Sequence, residues 1–177
     1  MPLSPTLPAR ILTLEECCSF GSLENDLQLL CQTEARPSHV LVIPAAVETA
    51  FYQFNNLPQQ LLILAKAIDP QDPDEDDVEE FAEGAQALIR SSYLLDEVIE
   101  GLYAKLEPLE RTLCVRRLGQ APLKQHQAIT KGRPVLLALK ALWLEAWSFN
   151  ALMERLRQKQ GIAHEAQHCL IHPATTN

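Results

Sequence analysis

Apolar residues, with Ser92 as the polar exception, recur in alternating steps of four and three over two long stretches of the chain. The first, 77–106, carries Phe81, Ala85, Leu88, Ser92, Leu95, Ile99, Leu102 and Leu106; the second, 134–160, carries Val135, Leu139, Leu142, Ala146, Phe149, Met153 and Leu156. Such steps keep one stripe of a helix turned toward its neighbour, so each stretch is expected to be a single heptad-patterned helix. Arg155, Arg157 and Lys159 suit the C-terminal end of the second helix, and Gly161 suits its stop. Two helices of similar length joined by a long return segment predict an antiparallel pair within an all-α helical bundle. Leu136, Trp143, Leu144, Trp147 and Leu152 lie outside the second seam, which makes that helix either central in the bundle or the carrier of a partner-facing surface.

Shorter elements fill the remainder. Thr13 and Glu16 have capping-box spacing, and Phe20, Leu23, Leu27 and Leu30 continue a helical pattern to about Cys31. The β-branched run 39–43, closed by Pro44, reads as an extended connector, because one strand has nothing to pair with. Helices are expected over 45–56 and, after Pro58, over 59–68. The loop 69–74 holds Pro70 and Pro73, and the acids that follow it favour the first turn of the next helix. A short helix from Pro108 to Leu118, stopped by Gly119, and a loop over 121–133 complete the pattern. The expected organisation is a flexible segment 1–12, one helical domain 13–172 and a flexible tail 173–177.

Composition narrows the class. The chain has 177 residues, of which 47% are hydrophobic and 21% charged, values of an ordinary globular protein. The longest apolar runs end at Lys66 and Lys140, too soon for a membrane span, and the proline-rich N-terminus lacks the pattern of a secretory signal. The five cysteines, Cys17, Cys18, Cys31, Cys114 and Cys169, are odd in number and irregularly spaced, as packed, reduced thiols of a cytoplasmic protein would be. The net charge of −8 hides an asymmetry. Between 69 and 110 fourteen acids stand against two bases, and between 111 and 140 there are seven bases and no acid.

His164-Glu165-Ala166-Gln167-His168 resembles the HExxH signature of zincin metallopeptidases over those five residues. The resemblance implies zinc held by His164 and His168 one helical turn apart, with Glu165 activating the bound water; His172 extends the same face. The third ligand that this family recruits further downstream has no counterpart, since Pro173 follows and the sequence given ends at Asn177. Without zinc the segment reads as a short polar terminal helix. Glu80 with Glu83 and Glu97 with Glu100 form two Glu-x-x-Glu pairs on what is expected to be one helix. About fourteen residues between them mean roughly 20 Å, too far to share a metal, so a solvated acidic face is expected.

The basic block invites a nucleic-acid reading, yet it contains no aromatic residue to stack on bases and the chain is acidic as a whole. A docking face for an acidic protein fits better, built from Arg111, Arg116, Arg117, Lys124, Lys131 and Arg133 together with Trp143 and Trp147. The expectation is therefore a noncatalytic protein-protein interaction or regulatory protein acting through a charge-divided surface, with no cofactor and no membrane. A zinc-dependent hydrolase and a nucleic-acid binder are the alternatives, and the heptad seams are compatible with a homodimer.

Overall fold

The computed structural model describes residues 7–21, 23–119 and 125–174. The chain is mixed α and β, which corrects the all-α bundle: helices accompany a five-stranded antiparallel sheet of order β1-β2-β5-β3-β4. Its strands are β1 (Leu12–Thr13), β2 (Leu41–Ile43), β3 (Thr112–Arg117), β4 (Gln125–Thr130) and β5 (Cys169–Pro173). The helices are α1 (Leu14–Cys18), α2 (Asn25–Thr33), α3 (Ala45–Phe54), α4 (Leu57–Leu64), α5 (Glu75–Ser91), α6 (Asp96–Leu106), α7 (Arg133–Glu145) and α8 (Phe149–Arg157). The chain divides into two compact units, the first comprising Met1–Ala50, Leu94–Leu139 and Ala166–Asn177, the second Phe51–Tyr93 and Lys140–Glu165.

The first unit holds the whole sheet. The extended run at 41–43 does find partners: it pairs with Leu12–Thr13 on one side and with Cys169–Ile171 on the other. Leu113–Arg117 then pairs with Cys169–Pro173. β5, where a short polar helix was expected, is the central strand, and its Cys169, Leu170 and Ile171 are fully buried. Pairing with β2 and β3, both distant in sequence, creates this strand, and no local period reveals it. β3 replaces the helix expected to end at Leu118: Thr112, Leu113, Cys114 and Val115 favour a pleated, half-buried setting. β4 takes up part of the expected loop, with a register shift between Leu113 and Val115.

Leu12, Val42 and Leu170 stand in register across three strands and join a core that also contains Leu7, Leu14, Cys17, Leu27 and Val40. Leu7, Ile11 and Leu12 are thus packed, although 1–12 was expected to be flexible. Thr13 closes the expected capping box with Glu16. Lys105 on α6 holds Glu16 at 2.6 Å, and this contact, with opposing desolvation, keeps the carboxyl below its usual range. Cys18 and Cys31 are joined in a disulfide, with a Cα–Cα distance of 5.8 Å between α1 and α2. The expected set of five reduced thiols is corrected to Cys17, Cys114 and Cys169, which form no disulfide and are all buried. Burial, helped by the charge of Glu16, pushes Cys17 up to about 11, far from reactive thiolate.

The long helix expected over 77–106 is two helices. Ser91 and Ser92 turn their hydroxyls back onto the Leu88 carbonyl, and Ser92 is extended, with ψ 152°. Hydroxyls that compete for helical carbonyls favour an end, and Asp96 and Glu97 supply the charge a new first turn prefers. The second long helix breaks in the same way: Ser148, with ψ 152°, accepts from the Ala151 N–H and caps α8. Residues 133–157 are, among those described, the one stretch long and apolar enough by composition to cross a membrane, its most apolar 18-residue window having mean hydropathy 1.3. α7 has 13 residues and α8 has 9, each short of the roughly 20 that a span requires.

The second unit is helical. Its core gathers Phe51, Tyr52, Phe81, Trp143 and Trp147, with ring centroids 4.9 to 6.3 Å apart in successive pairs. Trp147 donates its indole N–H to the Tyr52 hydroxyl at 2.9 Å, which satisfies the buried donor. Arg155 lies over the Trp147 ring at 5.5 Å and donates to the carbonyls of Ala146 and Ile162, so α8 is tied to the segment that follows it.

Candidate functional site

A zincin site needs both histidines on one face of a helix. Residues 163–168 form no helix. In the second unit His164 meets the Trp147 ring edge-on, with centroids 6.0 Å apart. In the first unit His168 is buried, and its Nδ1 accepts the Ala45 N–H at 2.8 Å, at the start of α3. A neutral ring that accepts at Nδ1 carries its proton on Nε2, which stands 3.2 Å from Glu24 Oε1. His168 therefore uses both nitrogens to fasten α3 and the segment before α2. His172 is half-buried, its Nε2 accepting from Arg116 Nε at 3.4 Å and its Nδ1 2.9 Å from the Pro173 carbonyl oxygen. Burial lowers the His172 pKa; the Pro173 carbonyl opposes this, the Arg116 charge adds to it, and Glu34 opposes it. Glu165 is exposed. Among the described residues no group of three or more His, Cys, Asp or Glu side chains is placed to hold a metal ion.

One base of the block is turned fully inward. Arg117 is 2% exposed and pairs with Glu48, 1% exposed, through contacts of 3.1 and 3.4 Å. The Gln167 N–H adds a third hydrogen bond to Glu48, at 3.3 Å. β3 and α3 together thus create a buried, charge-assisted pair in the first unit. Lys131 donates to the carbonyls of Glu107 and Leu109, behind the end of α6. Arg116 is half-buried against His172, whereas Arg111 and Arg133 are exposed. Lys124 lies outside the described residues. Trp143 and Trp147, at 0% and 5% exposure, are core residues of the second unit, so Arg117 and both tryptophans drop out of the expected partner-facing set.

A different surface stands out in the second unit. α4 reads Leu57-Pro-Gln-Gln-Leu-Leu-Ile-Leu; Leu57 and Leu61 are buried, while Leu62 and Ile63 remain 64% and 63% exposed. Asn55, just before α4, exchanges two hydrogen bonds with the backbone of Tyr93, just after α5, at 2.9 and 3.1 Å. At the other end of α4, Leu64 lies against Gly84 of α5, where an added Cβ would come within 3.1 Å of the leucine. These two contacts set α4 antiparallel to the C-terminal half of α5. Phe54, 60% exposed, and Tyr93, 78% exposed, flank the start of α4. Lys140 finishes α5 at that end by donating to the carbonyls of Arg90 and Ser92, where a cation suits the helix C-terminus. The N-terminal half of α5 runs on past Leu64 and exposes Glu75, Asp76, Glu79, Glu80 and Glu83.

Among the described residues, five of the eight large exposed hydrophobic ones, Phe54, Leu62, Ile63, Leu64 and Tyr93, thus belong to this one surface of the second unit. The unit carries twelve acids against six bases. The signal lay in the run 61–64: four consecutive aliphatics on an eight-residue helix cannot all face one core, so some must be left outside. No family model matches the sequence, and no curated protein is significantly similar to it.

Proposed function

We propose that this chain is a noncatalytic protein-interaction or regulatory protein, and that its docking face is the exposed apolar surface of α4 with the flanking Phe54 and Tyr93. The observation that carries the reading is the exposure of Leu62 and Ile63, at 64% and 63%, on a helix whose opposite stripe is buried. Isolated exposed leucines are ordinary on protein surfaces; adjoining ones beside two exposed aromatics, rimmed by charge, are what a protein-binding surface is made of. This moves the proposed face from the basic block at 111–140 to the second unit. The cysteines no longer argue for a reducing compartment, because Cys18 and Cys31 are bonded.

Affinity capture from the source cells tests the reading, with the intact chain and its Leu62→Ser/Ile63→Ser double variant compared by quantitative mass spectrometry. The reading expects at least one protein that the intact chain retains and that falls by about tenfold or more on the variant, a loss of about 1.4 kcal/mol. Identical retention of every captured protein by the two chains would refute it.

A further inference from the structure

The charge beside the apolar face specifies the chemistry of what binds there. α5 exposes its acids on the side that adjoins α4: Glu80 and Glu83 lie within one helical turn of Gly84, against which Leu64 packs, and Asp76 lies one turn further on. Apolar surface thus occupies the end nearest Phe54 and Tyr93, and acidic surface the end nearest the start of α5. Of the charged residues from 51 to 93, nine are acids, against Lys66 and Arg90. Each of these exposed acids repels an anionic ligand and lowers the energy of a cationic one, most strongly at low salt. The bases near the face are Lys66, exposed beyond the end of α4, and Arg90 with Lys140 at the end of α5 beside Tyr93; none stands at the acidic end with Asp76, Glu80 and Glu83.

We infer that the occupant of this face is a cationic amphipathic segment of another protein, a helix that presents apolar residues at intervals of three and four beside a row of lysines or arginines. Its apolar stripe covers Leu62, Ile63, Phe54 and Tyr93, and its basic row meets Asp76, Glu80 and Glu83. The length follows from the platform. α5 has 17 residues and spans about 25 Å, so a peptide helix of about 17 residues covers both ends. Helix-in-groove recognition of this type draws affinity from the apolar anchors and orientation from the charges. A nucleic acid or an anionic lipid surface would meet the repulsion of the same acids.

The inference rests on the reading of this surface as a protein-docking face, and the two can fail separately. The probe is a fluorescein-labelled synthetic peptide of about 18 residues, with leucines on one stripe and lysines on the flanks, titrated with the full chain by anisotropy. Its controls are the same peptide with every lysine replaced by glutamate and a scrambled peptide of the same composition. The lysine peptide is expected to bind at least about tenfold more tightly than either control. Leu62→Ser/Ile63→Ser is expected to weaken binding by about tenfold at any salt concentration. Glu80→Lys/Glu83→Lys is expected to weaken it by a similar factor at low salt and by much less at high salt. All four positions are solvent-facing, and an unchanged circular dichroism spectrum checks that the variants fold.

Equal binding of the glutamate peptide, or no effect of the apolar double variant, overturns the inference. So does sedimentation showing that the chain alone dimerises through this face and that Leu62→Ser/Ile63→Ser abolishes the dimer, since the occupant is then a second copy. A captured protein lost from the apolar variant but kept by Glu80→Lys/Glu83→Lys sinks the cationic chemistry and leaves the docking face standing. Loss of neither removes both.

Discussion

Arg117 is counted with the basic block in the sequence and is an interior residue in the fold. Its side chain and that of Glu48 are buried together, so removing either takes from the other the charge it faces in the interior. Arg117→Met and Glu48→Gln are each expected to cost about 3 to 5 kcal/mol in urea unfolding, and the double change Arg117→Met/Glu48→Met to recover much of that loss. Equal costs for the single and double changes would contradict a coupled buried pair. His172 gives a pH dependence of known sign. Burial holds its folded pKa below the ordinary 6.5, so between the two values the unfolded chain binds a proton that the folded chain does not. Stability therefore falls as the pH drops below about 6.5, and His172→Gln is expected to flatten that slope. An unchanged slope in the variant would assign the dependence to another group.

Within one element, α4 has a buried side and an exposed side. Leu61, 8% exposed, belongs to the core of the second unit, and Leu62, its neighbour, does not. Leu61→Ala is expected to lower thermal and urea stability by about 2 to 4 kcal/mol, whereas Leu62→Ser stays within about 0.5 kcal/mol of the parent. A large loss at Leu62 would mean that its side chain is part of the core and not of a docking face. The same contrast explains what the sequence could and could not tell. Caps and helical stripes are local, so Thr13 with Glu16, α2, α3, α4 and the acidic start of α5 are legible from spacing. The breaks at Ser92 and Ser148 were hidden because apolar residues happen to continue the seam across them. The sheet was hidden for a different reason. β2 and β5 are short apolar runs whose strand identity comes from pairing with segments distant in sequence, and β3 reads as a helix because Pro108 and Gly119 frame it like one.

On the scale of the whole molecule, chemistry is distributed unevenly between the two units. In the first unit Arg117 is buried on Glu48, Lys105 pairs with Glu16 and Lys131 binds backbone carbonyls, while Arg10, Arg36, Arg111 and Arg133 are exposed. This unit has eleven acids and nine bases, close to balance, while the second unit has twice as many acids as bases. The expected division by charge ran between 69–110 and 111–140; of the second stretch Arg117 is buried, while Arg111 and Arg133 are exposed. The His-Glu motif is absorbed into architecture, with His164 on Trp147 and His168 on the start of α3. The candidate face itself was only faintly legible, since Leu62 and Ile63 acquire meaning once Leu57 and Leu61 are known to fill the core. Amide hydrogen exchange of the full chain, alone and with a captured protein, tests the placement of that face most directly. The account predicts slowed exchange concentrated in α4 and α5, between residues 54 and 93. Protection confined to 111–133, or protection nowhere in the second unit, would contradict it.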